Sequence, residues 1–247
     1  MAGQETCKVA APSSAGGDGE RLPLVCIFSS IDGEVNGIGQ GVLSTFIRLA
    51  GCNLRCWGGR CDTPQGLSVT ENTPPMSVGD IVTRVTALDA GKTTITGGEP
   101  LLYLGKGLET LISALGNRGI RISVETNGSV LPPAELGRFV DSWVVDHKCP
   151  STGETGRMVP VDRMAAARRA ADYIKFVVAD AEDYEFARSI ARECARMAWP
   201  PRLAFSPKAD DMELSWLADR IIRDRLHNVQ FNLQIHKVIW PGYNGEV

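Results

Sequence analysis

Apolar residues fall in short β-branched runs separated by longer stretches of helical spacing, and this alternation starts at Leu22. The short runs predict strands at Val42–Leu49, Thr93–Thr96, Ile120–Val124, Ser142–Val145, Tyr173–Val178, Arg202–Phe205 and Val229–Gln234. Between them, apolar positions recurring at three and four predict helices at Ser77–Leu88, Lys106–Leu115, Asp162–Ala170, Asp183–Met197 and Met212–Leu226. Ser77 with Asp80 three residues on gives the first of these a capping-box-like start. Each strand is separated from the next by enough chain for a crossover helix, which is the signature of a parallel sheet. The fold class expected is therefore α/β, a partial, modified TIM-type barrel of parallel strands, in one domain spanning residues 21–247. Residues 1–20 are small and polar without apolar periodicity and predict a disordered N-terminal tail.

Polar motifs follow the strands in a fixed register. Thr96-Gly97-Gly98-Glu99-Pro100 ends the second strand, Glu125-Thr126-Asn127-Gly128 the third, Asp146-His147-Lys148 the fourth, Ser206-Pro207-Lys208 the sixth and Gln234-Ile235-His236-Lys237 the last. All sit at carboxyl ends, the face of a parallel barrel on which active sites are built. Taken singly, Gly-Gly-Glu-Pro also reads as a turn and Glu125-Thr126-Asn127 as an Asx-type turn. His147 and His227 read as structural or surface histidines, whereas His236 reads equally well either way.

The most concentrated chemistry lies directly after the first strand. Cys52, Cys56 and Cys61 stand on one short loop that contains Trp57-Gly58-Gly59-Arg60. A structural zinc site closes with four protein ligands, and the chain offers no second Cys-x-x-Cys or His-x-x-x-His pair to complete one. A [4Fe–4S] cluster with one iron open to a non-protein ligand fits three thiolates better, and S-adenosylmethionine, chelating through its amino and carboxylate groups, is such a ligand. Structural zinc and unrelated thiols are the alternatives. Cys7 falls in the tail as an incidental thiol, while Cys26 and Cys194 sit in an apolar strand and a helix as small core residues.

Composition narrows the class. A chain of 247 residues, 43% hydrophobic, can bury one substantial core. Its net charge of −3 gives no reason to expect a nucleic-acid or membrane surface. Seven cysteines, clustered and without a secretory h-region before them, read as reduced thiols of a cytoplasmic enzyme.

The cysteine loop and Gly97-Gly98-Glu99-Pro100 resemble the radical S-adenosylmethionine superfamily, whose loop is most often Cys-x3-Cys-x2-Cys. Here the second gap is four residues, and its two glycines let the loop fold back. The resemblance sharpens through Asp32-Gly33-Glu34, Gly39-Gln40-Gly41, Thr45-Phe46-Ile47-Arg48-Leu49-Ala50-Gly51-Cys52, Cys61-Asp62-Thr63 and Gln234-Ile235-His236-Lys237. Together these resemble the 7-carboxy-7-deazaguanine synthase family. That family usually reads Gln-Gly-Glu-Gly where this chain has Asp32-Gly33-Glu34-Val35.

The resemblance implies a radical S-adenosylmethionine fold and a lyase that contracts the ring of 6-carboxy-5,6,7,8-tetrahydropterin, releasing ammonia, in queuosine or related deazapurine biosynthesis. The implied cofactors are a [4Fe–4S] cluster on Cys52, Cys56 and Cys61, S-adenosylmethionine re-formed each cycle, and Mg2+ held partly by Thr63. Gly97, Gly98, Glu99, Glu125, Thr126, Asn127, Lys148 and Ser206 match cofactor-binding positions. Glu34, Arg48, Gly98 and His236 match substrate contacts, Arg48 suited to a carboxylate fork and Glu34 to paired N–H groups. A flavodoxin-like or ferredoxin-like electron donor and a homodimer are also implied, with no nucleic-acid or membrane partner. The rival readings are an activase that generates a glycyl radical on a partner protein, and a non-catalytic iron–sulfur or zinc binding module.

Overall fold

A computed structural model describes residues 19–166, 172–208 and 211–241. In chain order its main elements are β1 (Arg21–Ile31), β2 (Leu43–Leu49), the single turn α1 (Cys56–Gly59), β3 (Pro75–Ser77), α2 (Val78–Leu88), β4 (Lys92–Gly97), α3 (Leu108–Gly116) and β5 (Arg121–Thr126). Then come β6 (Ser142–Asp146), α4 (Val161–Ala166), β7 (Tyr173–Val178), α5 (Ala181–Cys194), β8 (Leu203–Pro207), α6 (Leu214–Arg223), β9 (Val229–Phe231) and α7 (Ile235–Ile239). The strands form one sheet in the order β3-β1-β2-β4-β5-β6-β7-β8-β9. From β2 onward each neighbour is parallel, as the βα spacing predicts.

The structure adds β1, an 11-residue strand ahead of the first predicted one, and departs from the sequence reading at both edges of the sheet. The edge β3-β1-β2 is antiparallel, because β1 returns to β2 through a loop too short for a crossover helix. The last strand ends at Phe231 and does not reach Gln234; the chain turns there, with the Ile235 amide on Gly33 O at 3.1 Å, so His236 lies in α7 and not on a strand. Helix α4 begins at Val161, and the remainder of the predicted Asp162–Ala170 helix lies outside the described residues, as does most of the predicted tail. Ser77 caps α2 as expected, accepting from the Asp80 amide at 3.1 Å and donating to its carboxylate at 2.7 Å.

Period-two alternation sends the two faces of the sheet to different environments. Ile47, Leu49, Ile95, Ile122, Val124, Trp143, Val145, Ile174, Phe176 and Phe205 point outward against Ile81, Val85, Leu111, Leu115, Tyr184 and Leu217 of the helices, forming the main core. Each such fully buried side chain contributes about 1.5–3 kcal/mol of transfer free energy. The opposite face is polar: Ser44 and Thr94 share a hydrogen bond of 2.9 Å across β2 and β4, and Lys175 of β7 is buried.

The loop joining β1 to β2 fills this polar interior. Asp32 takes Lys92 Nζ at 2.5 Å and Thr94 Oγ1 at 2.8 Å, and the Gly37 amide reaches Ser142 Oγ at 2.7 Å. The same loop fastens to the far edge of the sheet, where the Val35 amide donates to Asn232 Oδ1 at 3.0 Å and Gln40 Nε2 to Leu233 O at 2.7 Å. The sheet therefore curls into a partial barrel whose open side is closed by this loop. Among the described residues no helix is long and apolar enough to cross a membrane.

Candidate active site

The cysteine loop leaves β2 at the carboxyl-end mouth of the barrel. It is tied down from the barrel side: Asn127 Nδ2 donates to Asn53 Oδ1 at 2.9 Å, Asn53 Nδ2 to Ser129 Oγ at 2.9 Å, and Arg157 Nη1 to Asn53 O at 2.6 Å. Trp57, Gly58 and Gly59 all have positive φ, the turn by which the four-residue gap folds back, and Trp57 Nε1 anchors it to Ser151 Oγ at 3.1 Å. Lys208 lies over the Trp57 ring, 5.0 Å from its centroid.

The donor set fits an iron–sulfur cluster by its chemistry. Cys52, Cys56 and Cys61 are free thiols, and Cys52 Sγ already lies 3.4 Å from the Leu54 amide and 3.6 Å from Asn127 Nδ2, the kind of N–H···S contact that tunes such clusters. Burial raises the Cys56 thiol and, with the neighbouring Asp62 carboxylate, pushes Cys61 up to about 11, so a cationic centre is what would draw them into the thiolate form. Among the described residues no group of three or more His, Cys, Asp or Glu side chains stands ready to hold a metal ion.

Gly97 and Gly98 make the close approach expected of a Gly-Gly edge, but to the protein's own backbone. Their amides and carbonyls lie against Leu49 and Gly51, with Gly98 N on Leu49 O at 2.8 Å and Glu99 N on Gly51 O at 2.8 Å. A Cβ at Gly97 would overlap Leu49, and one at Gly98 the Gly51 carbonyl. Glu99 is fully buried with both oxygens engaged: it accepts from the Leu101 amide at 2.8 Å, Thr126 Oγ1 at 2.7 Å and the Asn127 amide at 2.6 Å. It thus braces the ends of β4 and β5. Burial raises its carboxyl above the ordinary range against the pull of these donors.

A network of charges lines the mouth. Glu34 forms an ion pair with Lys175 and takes Gln234 Nε2 at 2.6 Å; Lys175 also lies 3.2 Å from Asp146, whose other oxygen holds Lys148 at 2.6 Å. Burial acts to raise Glu34, but Lys175 more than offsets it and the carboxyl stays low. For Lys148, burial lowers and Asp146 more than restores, leaving the ammonium firmly charged. Glu125 goes the other way: burial, reinforced by the Glu34 charge, pushes it up to about 7 despite Thr96 Oγ1 at 2.8 Å.

Arg48 comes to the same mouth from β2, its guanidinium 5.7 Å from the Phe28 ring centroid and 3.5 Å from Thr63 Oγ1. Its Nε is buried without a partner, and it makes no salt bridge among the described residues. Thr63 Oγ1 stands 3.5 Å from Asp62 Oδ1, two hard oxygens side by side. His236 packs on Gly33, and burial lowers its imidazole, keeping it neutral near pH 7. Ser206 lies deeper, bonded to Asn232 on both sides at 3.2 Å.

Sequence reasoning missed Lys175, Asn232 and Asp32 as organising residues. A lysine inside the apolar run Tyr173-Ile174-Lys175-Phe176-Val177-Val178 was the available signal, since lysine is almost never fully buried unless paired. Asp32, standing where the resemblance expects glutamine, is explained by Lys92: the acid is the second half of a buried ion pair below the mouth.

The Radical SAM superfamily profile matches residues 46–147. A 7-carboxy-7-deazaguanine synthase from Pyrobaculum aerophilum is 34% identical over 230 residues, 92% of this chain and 98% of the relative. One from Clostridium acetobutylicum is 32% identical over 86% of this chain and 93% of the relative. The crystal structure of QueE from Escherichia coli superposes with a TM-score of 0.62 at 20% identity, covering 86% of this chain and 93% of that one. A three-cysteine loop on the mouth of a mostly parallel α/β sheet, with relatives of this likeness over nearly full length, makes the chain a member of the 7-carboxy-7-deazaguanine synthase family of the Radical SAM superfamily.

Proposed function

We propose that the chain is a radical lyase that converts 6-carboxy-5,6,7,8-tetrahydropterin to 7-carboxy-7-deazaguanine with loss of ammonia, for queuosine or a related deazapurine. A [4Fe–4S] cluster on Cys52, Cys56 and Cys61, with S-adenosylmethionine, would supply the radical that abstracts a substrate hydrogen. The chain's own residues bind and orient around it. Gly97, Gly98 and Glu99 fix the edge against which the cofactor lies, and Glu125, Asn127 and Lys148 border the same mouth, with Thr126 braced on Glu99 and Ser206 deeper against Asn232. Thr63, with Asp62 beside it, offers the oxygen ligands a Mg2+ ion prefers. A flavodoxin-like or ferredoxin-like donor, a homodimer and a cytoplasmic setting belong to the same reading.

The observation that carries it is Arg48. A part-buried guanidinium with a buried, unpartnered Nε and no salt bridge among the described residues calls for an anion, and the substrate carboxylate supplies one. Glu34 presents two oxygens, each with one protein donor, to the N–H groups of a pterin edge, and neutral His236 closes the pocket from α7.

The test is anaerobic reconstitution and mass spectrometry of the products formed from carboxytetrahydropterin. Removing a charged partner of a bound carboxylate costs about 2–5 kcal/mol, so Arg48→Ala should reduce pterin turnover by roughly 30- to 5,000-fold. Uncoupled cleavage of S-adenosylmethionine should change far less. Equal loss of both would show that Arg48 supports the cysteine loop and not the substrate.

A further inference from the structure

Glu34 is held in place by residues that come from the other end of the chain. Ile174 and Phe176 point outward into the core, and Lys175 between them points into the barrel, where its ammonium meets Glu34 and lies 3.2 Å from Asp146 Oδ1. Gln234 fixes the second Glu34 oxygen at 2.6 Å. Facing Glu34 besides these are Glu125 from β5, Arg48 from β2 and His236 from α7.

In such a pocket an acid has two ways to settle. Burial and the Asp146 charge favour the neutral carboxyl, and Lys175 favours the carboxylate and prevails. The distinction matters chemically: a protonated carboxyl carries a donor, whereas an ionised one offers acceptors only. An aminopyrimidine edge presents adjacent N–H donors and needs the second.

We propose that Lys175 is a positioning residue of this site, which keeps Glu34 ionised and oriented as a double acceptor and thereby selects a substrate with paired N–H donors. The inference rests on the synthase reading above. Lys175 does not touch the substrate; it acts through Glu34, with Asp146 as the counter-charge that keeps the ammonium in place.

The experiment compares wild type, Lys175→Met and Lys175→Arg after anaerobic reconstitution, recording iron content, uncoupled cleavage of S-adenosylmethionine, and KM and kcat for carboxytetrahydropterin from acid to alkaline pH. Lys175→Met should load iron as wild type does, and its uncoupled cleavage of S-adenosylmethionine should fall far less than its pterin turnover. Its KM should rise about tenfold or more at pH 7, the worth of a charged hydrogen bond. Because the loss of Lys175 raises Glu34, activity should recover as pH rises, displacing the acid limb of kcat/KM to higher pH. Lys175→Arg should restore both. Lys175→Gln, which keeps a donor without the charge, is measured alongside and must show the same displacement should the Met variant fail to fold.

A wild-type KM and acid limb in Lys175→Met, or in Lys175→Gln, would overturn the inference while leaving the synthase reading standing. Parallel loss of uncoupled cleavage and iron would also overturn it, as the mark of a structural lysine. If wild type forms no deazaguanine at all, the synthase reading falls and the inference with it.

Discussion

Replacing Lys92 by Met removes one half of the ion pair on which the β1–β2 loop rests inside the barrel. The two side chains are 1% and 2% exposed. Lys92 Nζ reaches Asp32 Oδ2 at 2.5 Å and Asn36 Oδ1 at 3.2 Å, so its loss leaves the Asp32 charge with Thr94 Oγ1 at 2.8 Å and the Glu34 amide at 3.3 Å. Breaking a buried pair by deleting one partner costs about 3–5 kcal/mol, since the other charge stays behind without compensation. The two remaining donors place this case at the lower end, about 3 kcal/mol. For a chain of this size that corresponds to a fall in Tm of about 6–12 °C. Urea unfolding of the apoprotein measures it directly, with an unchanged m-value showing that native compactness is kept. The double variant Asp32→Asn with Lys92→Met should regain much of the loss, because no charge is then stranded. If Lys92→Met unfolds within about 1 kcal/mol of wild type, or the two single losses simply add in the double variant, the interior pair does not hold this loop.

Gly98→Val should abolish iron loading along with S-adenosylmethionine binding, because the new side chain would overlap the Gly51 carbonyl next to Cys52; full iron content in the reconstituted variant would show that the backbone there yields. Glu125 is raised from 4.5 to about 7 by burial and by the Glu34 charge, so its contribution to stability is present below about 4.5 and is lost as pH rises through about 7. Glu125→Gln should accordingly stabilise the apoprotein at pH 8 relative to its effect at pH 5. A urea midpoint difference independent of pH between the two proteins would contradict this.

The parallel strands and the cysteine loop were legible because each depends on local signals: β-branched runs, helical spacing and three cysteines on one loop. The capping of α2 by Ser77 was legible for the same reason. What escaped depends on which faces meet. β3 is three residues long and exists only as the pairing partner of β1, from Arg21 against Ser77 to Pro23 against Pro75. Lys175 and Glu34 are 141 residues apart in sequence, and nothing along the chain announces their encounter. Gly98 was expected to let a ligand approach the backbone, and the neighbour its missing Cβ admits here is the Gly51 carbonyl. His236 left its expected strand because Gly33, 203 positions earlier by numbering, leaves room for its ring and accepts the amide of Ile235.

The fastening of Val35 to Asn232, across 197 residues, also sets an order of assembly during synthesis. The cysteine loop finds its hydrogen-bonding partners Asn127, Ser129, Ser151, Glu154 and Arg157 in the first two-thirds of the chain, with Lys208, over the Trp57 ring, added later. The pocket wall needs Lys175, Asn232, Gln234 and the turn onto Gly33, which emerge later. On a ribosome that releases the amino-terminal part first, the loop has its scaffold before any substrate pocket exists. A chain halted just after Arg157 would thus present the thiols on a formed edge with no cavity above them, and the last residues to be made are the ones that turn an exposed cluster loop into an enclosed site.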